Sequence, residues 1–182
     1  MKISSLCFFV SLSFSVSLLT SCSTSSTPQE DDETEAENPL CTTEVEAGAF
    51  LGKGVGGAFV PFEDQESVSI MVAPQGGFGI GVVMRTEGLL AGSMRFAEVQ
   101  MLVKINGMNE GRYKTEMGIS CGELGGRIDN SVFPLDPNKY ETNDDLLALD
   151  GQEAELLVEI TDAEGNSTST SQFVTIRVGA DA

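Results

Sequence analysis

Residues 154–178 read AELLVEITDAEGNSTSTSQFVTIRV, and this stretch decides the fold. Leu156, Val158 and Ile160 recur at every second position, which predicts a strand with these three side chains on one face. The polar, Gly-containing segment DAEGN that follows predicts a turn. Alternation resumes over residues 173–178, so the sequence predicts two neighbouring strands that form a hairpin.

Similar short runs occupy much of the chain before this hairpin, and clusters of turn-forming residues separate them. No long stretch of helical periodicity competes with them, and residues 141–149 predict only one or two helical turns. The predicted fold is therefore all-β, a single immunoglobulin-like β-sandwich of about seven or eight strands. The other strands are predicted at 57–62, 67–73, 78–85, 98–105 and 113–120.

Residues 154–166 and 173–176 resemble the last two strands, with the turn between them, of bacterial immunoglobulin-like and fibronectin-like domains. In such a turn Gly165 and Asn166 tolerate positive φ, and Asp162 can bond to the turn backbone. A calcium site built from Asp162, Glu164 and Asn166 is the alternative interpretation of the same residues. These residues lack the full ligand set of a calcium loop, so no metal and no cofactor is predicted.

A second resemblance covers about thirty residues, from the motif FVPF at 59–62 through APQGGF at 73–78 to Gly88-Leu89. This segment is similar to uncharacterised lipoproteins of myxobacteria and related delta-proteobacterial lineages. In those proteins a histidine follows the aromatic residue of the turn, whereas Gly79 stands there in this chain. The resemblance therefore implies no metal or catalytic role at this position.

The basic start at Lys2 and the apolar run to Leu19 predict a secretory signal. The motif LTSC at 19–22 resembles the bacterial lipobox, which implies cleavage before Cys22 and lipidation of that cysteine. Cleavage near Ser21 without lipidation and an uncleaved anchor are the alternatives. Ser23 follows in place of the aspartate that retains lipoproteins at the inner membrane. The resemblance therefore favours the outer membrane and leaves open whether the protein faces the periplasm or the cell surface.

Charge and composition divide the rest of the chain at about residue 46. The chain carries a net charge of −18, and removal of Lys2 with the signal leaves 9 basic against 28 acidic side chains, or −19. Residues 30–37 are mostly acidic and without large apolar side chains, which predicts a disordered tether. The predicted organisation is a signal peptide at 1–21, a disordered acidic tether at 22–46 and a sandwich domain at 47–182.

The same composition limits the chemistry of the chain. A surface this acidic repels phosphate backbones. Nucleic acid is therefore not a predicted partner. Histidine is absent, which argues against Ser-His-Asp and Cys-His nucleophile systems. Cys41 and Cys121 remain after Cys7 leaves with the signal and Cys22 is lipidated. In an oxidising compartment these two are predicted to form a structural disulfide.

The sequence predicts a lipid-anchored envelope protein that presents a non-catalytic β-sandwich for binding, with a protein partner whose identity is open. A structural accessory subunit of an envelope complex is one alternative, and a carboxylate- or metal-dependent enzyme is another. An exposed apolar patch or an unpaired edge strand would favour a protein partner. A concave pocket with converging carboxylates would favour the enzyme.

Overall fold

The computed structural model describes residues 38–73, 76–92 and 95–179. These residues form ten strands, one short α-helix and one turn of 3₁₀-helix. No helix among them is long and apolar enough to cross a membrane. In chain order the elements are the 3₁₀-helix Pro39–Cys41, β1 Gly48–Val55, β2 Ala58–Pro61, β3 Glu66–Val72, β4 Phe78–Glu87, β5 Phe96–Ile105, β6 Met108–Gly118, β7 Ser120–Gly122, β8 Gly125–Pro134, α1 Asn143–Leu147, β9 Glu153–Thr161 and β10 Ser167–Arg177.

The strands form two layers. In the first layer β8 and β7 lie on one side of β4, and β1 followed by β2 lies on the other. In the second layer the order is β3-β10-β9-β5-β6. With β4 as strand B, and with β2 and β3 left aside, the first layer has the order D-E-B-A and the second the order G-F-C-C′. This is the strand order of the immunoglobulin sandwich. The predicted all-β sandwich is therefore confirmed, although with ten strands in place of seven or eight.

Strand β3 belongs to both layers. Its first half, Glu66–Ser69, pairs in parallel with Val174–Arg177 of β10. Its second half, Ile70–Val72, leaves β10 and pairs antiparallel with the first residues of β4. Beyond Ser69, β3 no longer lies beside β10, so the two layers separate at this corner of the sandwich.

The core lies between the layers and follows the period-two pattern of the sequence. The three residues predicted to share one face of β9, Leu156, Val158 and Ile160, are all buried. Four apolar residues at alternate positions of β5 are buried as well. Burial of each such side chain stabilises the fold by about 1.5–3 kcal/mol before the cost of ordering it. The four residues of β5 are Val99, Met101, Val103 and Ile105.

The folded part begins earlier than the predicted boundary at residue 47. Residues 39–41 form the 3₁₀-helix, and the backbone oxygen of Leu40 accepts a hydrogen bond from Gly88 at 3.1 Å. Cys41 is buried and joined to Cys121 of β7 by a disulfide that closes a loop of 80 residues. The disulfide indicates a non-cytoplasmic location, because such bonds persist in oxidising compartments. Residues 1–37, including the predicted signal and most of the predicted tether, lie outside the described residues.

The sandwich has two distinct ends along the direction of β4. The chain enters at the end that holds Cys41 and Gly88, which we call the entry end. Phe78 begins β4 at the opposite end, the far end, where Val72 and α1 also lie. Nine residue steps separate Phe78 from Glu87, so the two ends are roughly 30 Å apart at about 3.4 Å per step.

Candidate interaction surface

An apolar groove opens at the far end, where β3 leaves β10. Its volume is about 580 Å³, and most of the side chains along it are apolar. The groove exists because β3 turns toward β4 after Ser69, and no strand of the described residues lies beside Val178. Its lining residues are Ser69, Ile70, Met71, Val72, Phe78, Asn143, Asp144, Leu146, Leu147, Val178 and Gly179.

Helix α1 closes only one side of the groove. Thr142 caps the helix by accepting a hydrogen bond from the Asp145 amide, and the Asp145 carboxylate accepts one from the Thr142 amide at 2.8 Å. The hydrogen bond from the Thr142 hydroxyl lowers the pKa of Asp145 below its ordinary value. This capping box fixes a helix of only five residues. Leu146 is 3% exposed and seals the core, whereas its neighbour Leu147 is 60% exposed beside the groove.

The groove also borders an open sheet edge. Residues Ile70–Val72 pair with β4 on one side, and on the other side they pair with no strand of the described chain. Met71 is 44% exposed and Val72 67% exposed. Proteins commonly protect such an edge with a charged residue, a proline or a bulge. The segment SVSIMVA at 67–73 contains neither a charged residue nor a proline.

The loop that carries α1 brings negative charge to one side of the groove. Lys139 is the only basic residue between positions 136 and 153, and it already forms an ion pair with Glu110. Asp144 of this stretch lines the groove, which therefore has an apolar floor and an acidic rim on the side of α1. The exposed acidic side chains of the whole stretch are those of Asp136, Glu141, Asp144, Asp145, Asp150 and Glu153.

A buried acidic residue positions this loop, and no pattern in the sequence indicates it. Glu110 is 3% exposed and accepts hydrogen bonds from Tyr140 at 2.8 Å and from Lys139. Burial, followed by the bond to Glu110, raises the pKa of Tyr140, and Glu110 also raises the pKa of Lys139. These bonds tie β6 to the loop that leads into α1. A single glutamate within a turn-rich stretch carries no periodic signal, so only the tertiary contacts identify its role.

The residues of the calcium hypothesis form a hydrogen-bonded turn at the entry end. The Asp162 carboxylate accepts bonds from the amides of Glu164 and Asn166, each at 2.9 Å, and from the Leu90 amide at 3.0 Å. The Asn166 side-chain amide donates to the same carboxylate. Burial alone would raise the pKa of Asp162, but these hydrogen bonds outweigh it and lower the pKa. Both carboxylate oxygens therefore hold the turn and anchor it to the segment after β4.

The other predicted sites are placed as follows. Cys22 lies outside the described residues, and Cys41 and Cys121 form the disulfide at the entry end. No group of three or more acidic or cysteine side chains within 38–73, 76–92 and 95–179 could hold a metal ion. The groove combines exposed apolar side chains with an open strand edge, so it fits the expectation for a protein partner.

Comparison with known proteins identifies no relative of this chain. No protein-family model matches the chain, and no curated protein or solved structure matches it either.

Proposed function

We propose that this protein is a lipid-anchored envelope protein whose β-sandwich binds a protein partner, without catalysis, through the apolar groove. One observation carries the proposal: an apolar groove beside an open sheet edge lies at the end of the sandwich opposite the point where the chain enters. Exposed apolar surface of this kind marks interaction sites in soluble domains.

The predicted anchor and the position of the groove support each other. A chain lipidated at Cys22 would be held at the membrane through residues that lead into Asn38, at the entry end. The Asn38 side chain donates a hydrogen bond to the oxygen of Gly122 at 2.6 Å, and the disulfide fixes the same region. The groove lies roughly 30 Å from this point, at the other end of the sandwich, so attachment there leaves the groove open to a partner. The resemblance to the lipobox and Ser23 favour the outer membrane.

The anchoring half of the proposal is tested by fractionating envelopes after a salt wash. We expect the wild-type protein in the membrane fraction and the Cys22→Ala variant in the soluble fraction. Acylation with two or more chains holds a protein stably without other contacts. A Cys22→Ala variant that still sediments with membranes would contradict lipid anchoring at this cysteine.

The binding half is tested with two matched leucines. Leu147 at the groove and Leu124 at the entry end are each 60% exposed, so Leu147→Asp and Leu124→Asp change equally exposed side chains. After formaldehyde treatment of cells, we expect the wild type and Leu124→Asp to give the same higher-mass adduct and Leu147→Asp to lose it. Equal adducts from both variants, with equal expression, would contradict binding through the groove.

A further inference from the structure

We infer that the partner presents a cationic, apolar segment that adds to the Ile70–Val72 edge as an extra β-strand. This inference rests on the proposed function and specifies the partner and the way it binds. The carrying observations are the edge of Ile70–Val72 that pairs with no strand of the described residues, the apolar floor beside it and the acidic rim on the α1 side.

The edge of Ile70–Val72 supplies the main-chain hydrogen bonds of the proposed interaction. Ile70, Met71 and Val72 hold an extended conformation through their pairing with Ile80, Gly79 and Phe78. Their opposite edge faces the space that opens where β10 ends. A partner strand placed there would extend the first layer by one strand. In strand addition of this kind, main-chain hydrogen bonds give affinity and pockets for alternate side chains give specificity.

The groove supplies the contacts for the partner's side chains. In an added strand every second side chain would point to the same face. That face meets the partly buried Ile70 and Phe78 and the exposed Leu147. Apolar residues at alternate positions of the partner would therefore be buried.

Charge determines which apolar strand fits. The acidic rim and the net charge of −18 attract basic side chains and repel acidic ones. A second copy of this chain would bring another acidic rim against the first, and an anionic membrane surface is repelled in the same way. The geometry and the charge together favour lysine or arginine beside the apolar positions of the partner strand.

Selection from a library of short random peptides tests this inference, since it requires no identified partner. The purified wild-type protein is the bait, and Leu147→Asn is the bait for counter-selection. We expect the enriched peptides to alternate apolar residues and to carry net positive charge. Their affinity should fall as salt is added, because the rim charges are exposed. The Leu124→Asn protein is the matched control and should bind these peptides as the wild type does.

Backbone methylation then tests the strand geometry. An added strand uses the amides of one edge, so methylating alternate amides on that edge should weaken binding by roughly tenfold or more. Methylating the alternate amides of the other edge should leave affinity within about threefold. Equal effects of the two sets would overturn strand addition.

Several other results of these experiments would overturn the inference of strand addition by a cationic segment. Failure to enrich any peptide, enrichment of acidic peptides, or full binding to Leu147→Asn would each overturn the inference. Dimerisation of the free protein that Leu147→Asn abolishes would assign the edge to a second copy and overturn it as well. In each of these cases, an adduct in cells that is lost in Leu147→Asp would leave the proposed function intact.

Discussion

Replacing Asp162 with alanine tests how the closing hairpin is attached to the rest of the sandwich. The carboxylate accepts hydrogen bonds from the backbone amides of Leu90, Glu164 and Asn166 at 2.9–3.0 Å. Asp162 is buried, so alanine would leave these donors without their partner. The bond from Leu90 matters most for the fold, because it joins the β9–β10 turn of the second layer to the segment after β4 in the first.

The size of the effect follows from the number of donors that lose a partner. An unsatisfied buried donor costs about 1–3 kcal/mol, and water can reach part of this turn. For three backbone donors we expect a loss of about 3 kcal/mol in the free energy of unfolding. In a domain of this size that corresponds to a melting temperature lower by roughly 6–12 °C.

Chemical denaturation with matched variants measures this loss. Asp64 is exposed in the turn before β3, so Asp64→Ala should change stability by less than about 0.5 kcal/mol. If Asp162→Ala were as stable as Asp64→Ala, the assigned role of the carboxylate would be wrong.

The pH dependence gives an independent check on the same residue. The pKa of Asp162 is lower in the folded protein than its ordinary value of 3.8. Folding therefore favours the ionised form, and the carboxylate contributes its full stabilisation above that ordinary value. The contribution is lost as pH falls through the lower folded pKa. The stability difference between wild type and Asp162→Ala should be constant near neutral pH and shrink below about pH 4. A difference that widens with acid would contradict this sign.

Calcium provides a further control on the interpretation of this turn. Because both oxygens of Asp162 already accept hydrogen bonds, we expect the same melting temperature in excess calcium and in chelator. A rise of several degrees with calcium would revive the calcium hypothesis for Asp162, Glu164 and Asn166.

Two further predictions concern the packing of the sandwich. The double variant Cys41→Ser/Cys121→Ser should lose about 4 kcal/mol on the chain-entropy model, and a urea midpoint equal to that of the oxidised wild type would contradict this. Gly111→Ala should destabilise by about 3 kcal/mol, because a Cβ there would lie 1.8 Å from the Pro134 oxygen. Gly118→Ala, which meets nothing within 4 Å, should stay within about 0.5 kcal/mol of wild type in thermal melts.

The sequence predicts strands well where period-two alternation is uninterrupted. Alternation predicts β5 at 98–105 and β9 at 154–161, and these strands span Phe96–Ile105 and Glu153–Thr161. Both lie in the middle of the second layer and bury one whole face. The first half of β10 escapes prediction because residues 167–172 contain no apolar side chain, although their threonines suit a strand.

Strand β8 escapes prediction for a different physical reason. Its buried residues Ile128 and Ser131 are three apart, so the period of two is broken between them. A register shift lies opposite this point, between Val82 and Met84 of β4, and Asn130 has a positive φ of 55°. A bulge of this kind inserts one extra residue and hides the strand from a pattern search.

The candidate site lies where alternation and burial diverge. Val68, Ile70 and Val72 alternate along β3, and Val68 is buried. Val72 is instead 67% exposed, because β3 has by then left β10 and no other strand of the described residues covers it. The sequence pattern identifies the apolar strand but not the strand crossing, which depends on pairing partners more than 100 residues away. Departures from local consistency of this kind tend to mark functional positions.

The most direct test of the central claim is site-specific photo-cross-linking in living cells. A benzophenone amino acid is placed at Leu147 in one strain and at the equally exposed Leu124 in another, and irradiation joins each to whatever lies beside it. The account predicts one discrete protein adduct from position 147, lost when Val72→Asp is added, and no such adduct from position 124. Adducts of equal yield from both positions, or an adduct at 147 that persists with Val72→Asp, would contradict the claim that the groove at the far end is the binding surface.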